Sequence, residues 1–179
     1  MSCGSLEQFV ADVQAEWGAI STPLVESCRA RMNVLTASAE TEPWLAGLLA
    51  ERPATRELHR EFNSFMLLAH AEKQGLYRPP HDHGRAWVVY AVQSGELEIG
   101  TYGRVVDAHG DRLIRRETQL LRPGGARAYL PGDIHDTRCL SSDALVFRFT
   151  ERDLRHEDQV ERRVTRFVER DGEWFAPTL

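Results

Sequence analysis

The chain has 179 residues, of which 42% are apolar and 27% are charged, and its formal net charge at pH 7 is −5. This length and composition suit one globular domain with a hydrophobic core. The acidic balance excludes the basic surface that nucleic-acid binding requires.

Targeting signals and cysteines bear on where the protein works. No stretch approaches the roughly 20 apolar residues of a membrane-spanning helix, and the N-terminus lacks the pattern of a signal peptide. Cys3, Cys28 and Cys139 are odd in number and widely spaced, which predicts reduced thiols rather than disulfides. We therefore expect a cytoplasmic monomer or homodimer that binds neither membranes nor nucleic acid.

The first third of the chain is predicted to be helical. Ser5–Gln8 has a capping-box pattern and opens a segment with apolar residues at helical spacing. Thr22-Pro23 predicts an N-cap followed by proline at the first position of a second helix. Glu42-Pro43 predicts the start of a third, shorter helix, which runs to about Leu49. We expect these helices to pack on the outside of the domain formed by the remaining two thirds of the chain.

From about Glu57 onwards, short apolar or alternating runs are separated by Gly, Pro and Asp turn signals, which favours a barrel or sandwich over a βαβ fold. Asp171-Gly172 predicts a two-residue hairpin. We expect one domain, helical over residues 1–56 and a β-barrel over residues 57–179. The predicted strands are Phe62–Ala71, Ala86–Gln93, Glu96–Val106, Leu113–Leu121, Arg127–Leu130, Thr137–Leu140, Ala144–Thr150, Val160–Glu169 and Glu173–Phe175.

Two motifs supply three candidate metal ligands. Residues two apart on a strand share a face, so His81 and His83 are expected to point the same way while Asp82 points elsewhere. An HxH pair alone is a weak signal, and structural histidines with no metal are its alternative reading. The signal is strengthened by Pro131–His135, where a Pro-Gly turn delivers a third histidine, His135.

Together these motifs resemble the two motifs of the cupin superfamily. The resemblance implies a mainly β fold, the cupin double-stranded β-helix or jelly-roll barrel, with the N-terminal helices outside and one metal bound by the three histidines. The glycine that ends the family's first motif matches Gly95. The metal-binding glutamate of that motif would fall at Trp87 or Val88, and neither side chain can bind a metal.

Within cupins, three histidines without a carboxylate resemble the thiol dioxygenases, the group that contains cysteine dioxygenase. The resemblance implies Fe(II), O₂ and a small thiol, such as a mercapto-carboxylic acid, that is oxidised to the sulfinate. Imidazole ligands also suit Ni, Zn or Cu, and Mn is a further alternative. Two other functions stay open. One is a non-catalytic cupin that senses or stores a metal or ligand, and the other is a three-histidine dioxygenase or isomerase for another small organic acid.

The family's substrate carboxylate is held by an arginine ahead of the histidine pair, and Arg60 is the nearest match. A planar guanidinium binds a carboxylate through two parallel hydrogen bonds, which gives this role a physical basis. Arg78, Arg85 and Arg127 are the alternatives.

The family's Ser-His-Tyr relay places a histidine and a tyrosine two residues apart on a late strand, where this chain has Phe147 and Phe149. Tyr90, Tyr102 and Tyr129 are therefore the candidate replacement acids.

The sequence also predicts where four further residues lie relative to the metal site. His70 and Trp87 are each expected either to line the barrel cavity or to belong to the core. Asp133, Asp136 and backbone carbonyls near Pro80 are the predicted partners of the metal-bound histidines, because such histidines usually donate their second ring N–H.

Overall fold

The structure, a computed structural model, describes residues 4–177. The helices in this range are α1 (Ser5–Glu16), α2 (Thr22–Thr36), α3 (Pro43–Glu51) and α4 (Leu154–Gln159). The strands are β1 (Arg56–Arg60), β2 (Met66–Lys73), β3 (Tyr77–His81), β4 (Val88–Ser94), β5 (Leu97–Asp107), β6 (Gly110–Leu121), β7 (Ala126–Tyr129), β8 (Ile134–Cys139), β9 (Asp143–Thr150), β10 (Val168–Arg170) and β11 (Glu173–Phe175). Among the described helices, none has the length and apolar run that crossing a bilayer would demand.

The strands form two antiparallel sheets. One sheet has the order β1-β2-β9-β4-β7 and the other has the order β10-β11-β6-β5-β8-β3. Within β2–β9, β2 therefore lies beside β9 and β4 beside β7 in one sheet, while β3 lies beside β8 and β5 beside β6 in the other. This is the order of a long hairpin wound into a barrel, the jelly roll of cupins. The mainly β, cupin-type fold class predicted from the sequence is confirmed.

Helices α1, α2 and α3 pack against the outer face of the first sheet, as predicted. Burying a large apolar side chain is worth roughly 1.5–3 kcal/mol, so this shared core fastens the helices to the barrel. Its largest fully buried side chains are Met32, Leu35, Leu45, Leu48, Phe65, Leu67, Trp87, Leu145, Phe147 and Phe149.

The helix starts differ slightly from the predicted ones. Gly4 is the N-cap of α1, and the backbone N–H and hydroxyl of Ser5 both donate to Glu42 at the start of α3. Ser5 therefore joins two helices instead of capping one. Ser21 caps α2 by accepting a hydrogen bond from the backbone N–H of Leu24 at 3.3 Å.

The opposite faces of β2, β4 and β9 line the barrel interior, since successive side chains of a strand point to opposite faces. One end of the interior is apolar, and the other end is polar and holds the three histidines. The apolar end contains Val92, Leu97, Ile99, Leu121, Ala144 and Val146.

Most predicted strands lie within a few residues of observed strands, and Asp171-Gly172 joins β10 to β11 as predicted. The elements that the sequence analysis missed are β1, β3 and α4. Two prolines weaken the strand pattern of β3, which is tolerated because β3 is the last strand of its sheet. Most of the predicted strand Val160–Glu169 is not a strand, and β10 begins only at Val168.

Of the three cysteines, Cys28 and Cys139 are buried free thiols. Burial raises the pKa of Cys28 to about 12, so this thiol stays protonated. Cys3 lies outside the described residues.

Candidate metal centre

The three predicted histidines meet at the polar end of the barrel. Their ring centroids are 5.0 Å apart for His81 and His83, and 4.9 Å apart for each pair that includes His135. One ring nitrogen of each residue lies within 4.8 Å of the other two. The nearly equilateral triangle presents three nitrogen donors of the kind that zinc, iron, copper or nickel accepts.

The strand register brings His81 and His135 together. They are direct partners in the β3–β8 ladder, and Thr101 of β5 lies on the other side of His135. The turn before β8 contains Gly132 with a φ of +87°, a conformation that glycine adopts without strain. The Pro-Gly turn therefore delivers the third histidine, as the sequence predicted.

His83 reaches the cluster from a turn and not from a strand, because β3 ends at His81. The Oδ1 atom of Asp82 accepts hydrogen bonds from the backbone N–H groups of Gly84 and Thr165, both at 2.9 Å. The backbone N–H of Asp82 donates to the carbonyl of Thr165 at 3.1 Å. Asp82 thus points away from the histidines, as expected, and holds the turn that carries His83.

The hydrogen bonds of the histidines fit a bound metal. His135 is fully buried, and neither of its ring nitrogens has a partner among residues 4–177. Such atoms are costly, and metal binding would satisfy one of them. The Nδ1 atom of His81 lies 2.8 Å from the carbonyl oxygen of Pro79. A carbonyl oxygen only accepts, so Nδ1 donates and Nε2 keeps the lone pair that a metal needs.

Burial keeps the three imidazoles neutral. Desolvation lowers the pKa of His81, and it lowers the pKa values of His83 and His135 well below 6.5. The positive charge of Arg148 acts in the same direction on all three. Since a metal binds the neutral ring, protons compete little for this site near neutral pH.

Two of the three candidate tyrosines border the histidines. The hydroxyl of Tyr90 lies 3.5 Å from Nε2 of His83, and the ring of Tyr129 packs on His135 with centroids 4.2 Å apart. Burial raises the pKa of Tyr90, so its phenol keeps a proton that it can donate. Tyr102 instead donates to Asp136 at 2.5 Å on the outer face of the second sheet.

Asp133 and Asp136, the two carboxylates predicted to bond to the histidines, accept hydrogen bonds from other groups. Asp133 is exposed and accepts from the backbone N–H of Leu130 at 2.7 Å. Asp136 follows His135 on the same strand and so faces the opposite side of the sheet. Its four hydrogen-bond donors are Tyr77, Tyr102, Arg115 and the backbone of Gly100. The predicted backbone partner is present, since His81 bonds to Pro79.

Two adjoining cavities open beside the histidines. The first, about 630 Å³, is lined by His81 and His83. The second, about 520 Å³, is lined by His70 and Tyr90. His70 therefore lines the barrel cavity, one of its two expected positions. The residues common to both cavities are Arg78, Arg148, Leu154 and Arg155.

Arg148 is the functional candidate that the sequence analysis missed. It is half-buried in β9, and its Nε atom has no hydrogen-bond partner within the described range. Among the ion pairs of residues 4–177, Arg78 is paired with Glu72, whereas none involves Arg148. A single charged residue inside the apolar run 144–150 was the available signal.

Phe147 and Phe149, the two residues of β9 that were matched to the family's Ser-His-Tyr relay, do not face the barrel interior. Phe147 and Phe149 are fully buried in the helix-facing core together with Trp87. The positions of β9 that face the interior are therefore Val146 and Arg148. Trp87 is a core residue and does not line the cavity.

Arg60 lines the second cavity but not the first. Its guanidinium pairs with Glu57 at 2.8 Å and with Asp153 at 2.6 Å, and 46% of its side chain is exposed. Hydrogen bonds to these two carboxylates raise the pKa of Arg60. A substrate carboxylate would have to share this guanidinium, and its role in orienting substrate stays a prediction.

No protein-family model matches the sequence, and no curated protein matches it. Several solved structures are similar in shape. KdgF from Halomonas sp. is 20% identical, with 55% of this chain and 76% of that chain covered and a TM-score of 0.45. TT1209 from Thermus thermophilus is 23% identical, with 57% and 85% covered and a TM-score of 0.45. The cupin domain of Cnp3 from Schizosaccharomyces pombe is 13% identical, with 59% and 64% covered and a TM-score of 0.43.

The strand order of the two sheets is that of a jelly roll, the fold class expected for a cupin, and the three histidines lie together at the polar end of that barrel.

Proposed function

We propose that this chain is a mononuclear non-haem iron dioxygenase of the thiol dioxygenase type. It would oxidise a small thiol, in particular a mercapto-carboxylic acid, to the sulfinate. The observation that supports this most is the cluster of three neutral histidines, which no carboxylate of the described residues joins. Three neutral ligands leave more positive charge on a divalent ion than two histidines and a carboxylate do, which favours an anionic thiolate as the next ligand.

The reaction balances with O₂ as the only oxidant. The thiolate gains both oxygen atoms and loses four electrons to them, and the thiol proton is released when the thiolate binds. His81, His83 and His135 would hold the iron, which would supply a Lewis-acidic centre for the thiolate and the electrons that activate O₂.

The other residues of the site act on the substrate by position and charge. Tyr90 keeps its proton beside His83 and can donate a hydrogen bond to a ligand atom there. Arg148 presents a fixed positive charge to an anionic group. The buried ring of Tyr129 covers His135 and keeps water from that side.

The test is anaerobic purification with metal analysis, followed by O₂ uptake of the iron-loaded protein with cysteine, 3-mercaptopropionate and 2-mercaptoethanol. We expect one iron per chain, and one sulfinate formed per O₂ consumed with at least one of the thiols. Mass spectrometry of the product identifies the sulfinate.

Other outcomes of this experiment would favour the alternatives. Stoichiometric metal with no O₂ uptake for any thiol would favour a non-catalytic cupin that senses or stores a metal or ligand. O₂ uptake with a diketone or an aromatic acid, but with no thiol, would favour a three-histidine dioxygenase for another organic acid. Turnover without O₂ would favour an isomerase that uses a different metal, such as Ni, Zn or Mn.

A further inference from the structure

The second cavity contains buried polar atoms that binding a metal at the three histidines would not satisfy. His70 and Glu72 are 6% and 4% exposed. The Nε2 atom of His70 and the Oε2 atom of Glu72 have no hydrogen-bond partner in the described part of the chain. The same holds, within residues 4–177, for Nε of Arg148 and the hydroxyl of Thr150. All four residues line this one cavity, so a polar ligand there would offset the cost of burying them.

His70 presents a hydrogen-bond acceptor to the cavity. Its Nδ1 atom lies 3.0 Å from the hydroxyl of Thr55 and 3.4 Å from the carbonyl of Ala54. The Thr55 hydroxyl already donates to that carbonyl at 2.8 Å, so Nδ1 must carry the proton and Nε2 the lone pair. Burial, with help from Arg148 and Arg78, lowers the pKa of His70 to about 3, which keeps the ring neutral.

Two arginines of the cavity, the half-buried Arg148 and the exposed Arg155, have no ion pair among the described residues. Glu72 pairs with Arg78 through Oε1, which leaves Oε2 as a second acceptor. Arg60, at the rim, is paired with two carboxylates. Arg148 has no ion-pair partner among the described residues and has a donor that is free to bind a ligand. Away from the exposed rim, the lining therefore offers the guanidinium of Arg148 together with two acceptors, on His70 and Glu72. This combination suits a carboxylate that carries a separate hydrogen-bond donor.

We propose that this cavity is a binding subsite for a small organic acid that bears a donor group, a hydroxyl or an ammonium, in addition to its carboxylate. Arg148 binds the carboxylate, and His70 and Glu72 accept hydrogen bonds from the donor. Because Arg148 also lines the cavity that contains His81 and His83, a ligand held here extends towards the histidines. The inference rests on the proposed function only in taking this ligand to be the substrate.

The test uses sulfur-free acids on the metal-depleted full-length protein, so that it reports on the subsite and not on the metal. The probes are propionate, 3-hydroxypropionate, β-alanine and the uncharged propionamide, with affinity measured by calorimetry. We expect one of the two donor-bearing acids to bind about tenfold more tightly than propionate, and propionamide to bind most weakly. Preference for 3-hydroxypropionate or for β-alanine identifies the donor as hydroxyl or ammonium. Equal binding of all four probes would overturn the proposal.

Three variants assign the roles. Arg148→Gln should weaken binding of all three acids about ten- to a hundredfold and leave propionamide unchanged. Arg148→Lys should lose part of this affinity, because an ammonium lacks the planar fork. His70→Leu should remove the preference for donor-bearing acids and retain propionate binding.

The matched control is Arg127→Gln. The sequence analysis named Arg127 as an alternative carboxylate ligand, but this exposed residue lines neither of the two cavities. It lies opposite Tyr90 in the β4–β7 ladder, on the other side of β4 from Arg148. This variant should change the affinities by less than about threefold. Equal losses of affinity in Arg127→Gln and Arg148→Gln would show a non-specific effect of positive charge and would overturn the subsite. Unchanged affinity in both folded Arg148 variants would also overturn it. Intact acid binding without thiol oxidation would overturn the proposed function alone, and thiol oxidation without Arg148-dependent binding would overturn the subsite alone.

Discussion

Arg148 and Tyr90 lie directly opposite each other in the β4–β9 ladder. The hydroxyl of Tyr90 is 3.5 Å from Nε2 of His83, and Arg148 lines both cavities. Opposed side chains in antiparallel strands have Cβ atoms only about 4.5–5.5 Å apart. One cross-strand pair therefore connects the histidine cluster to the polar cavity, and the roles of its two members can be separated by substitution.

Tyr90→Phe removes the hydroxyl beside His83 and keeps the ring. We expect kcat to fall about a hundredfold, because a placed donor or acid contributes on that scale, while iron content stays at the wild-type level. Steady-state O₂ uptake and metal analysis on the same preparation check this. An unchanged kcat in the iron-loaded variant would restrict Tyr90 to packing.

Tyr102→Phe is the matched control, because Tyr102 bonds Asp136 on the outer face of the second sheet. It should lower the free energy of unfolding by about 1–3 kcal/mol, since a buried carboxylate loses a donor, and leave kcat unchanged. Urea unfolding and O₂ uptake measure the two effects. A loss of kcat as large as that of Tyr90→Phe would show that neither hydroxyl acts locally.

Replacing any one of His81, His83 or His135 by Ala should abolish stoichiometric metal binding. The fold should survive, because the cores of the barrel and of the helical layer do not include these residues. Metal analysis after dialysis and circular dichroism check both expectations, with His109→Ala as an exposed control. Full occupancy in all three variants would contradict the assignment of the metal centre.

Arg60→Ala is predicted by the family resemblance to lower kcat/KM for carboxylated thiols ten- to a few-hundredfold, at about 1.4 kcal/mol per factor of ten. The ion pairs of Arg60 with Glu57 and Asp153 favour the lower end of that range. Arg148→Gln should cause the larger loss, and 2-mercaptoethanol should be affected little by either variant. Equal losses for charged and neutral thiols would indicate damage to the fold.

His70 should make stability depend on pH in a defined window. Its pKa is about 3 in the folded chain against an ordinary value of 6.5, so between these values the unfolded chain binds one more proton. Stability from this group is therefore complete above pH 6.5 and decreases as the pH falls towards 3. His70→Gln should reduce the slope by about 1.4 kcal/mol per pH unit in that window and leave the slope above it unchanged. Urea unfolding of the metal-depleted protein between about pH 5 and 7.5 measures this, and parallel slopes would contradict it.

The histidines could be predicted because both motifs are local: a spacing of two residues in one segment, and a Pro-Gly turn in the other. Arg148 could not, because the direction of its side chain depends on which face of β9 is inside the barrel. Residues 144–147 are all buried, so β9 has no alternation of apolar and polar residues from which its face could be read. The helices were predictable because α1–α3 have one apolar face and favourable N-terminal residues. Similarly, β3 is recognisable only from its pairing with β8, since its prolines argue against a strand.

Successive side chains of β9 point alternately to the helical layer and to the barrel interior, and this limits which mutations the strand can accept during evolution. Phe147 and Phe149 pack against the helical layer. Val146 and Arg148, which alternate with them along the strand, face the barrel interior. Point substitutions can therefore alter ligand selectivity at the inward positions without loosening the helices. A one-residue insertion or deletion would exchange the two sets, placing a guanidinium among the aromatic rings and a phenylalanine in the cavity. The strand can therefore diverge by substitution, but its length is constrained both by the packing of the helices and by the lining of the cavity.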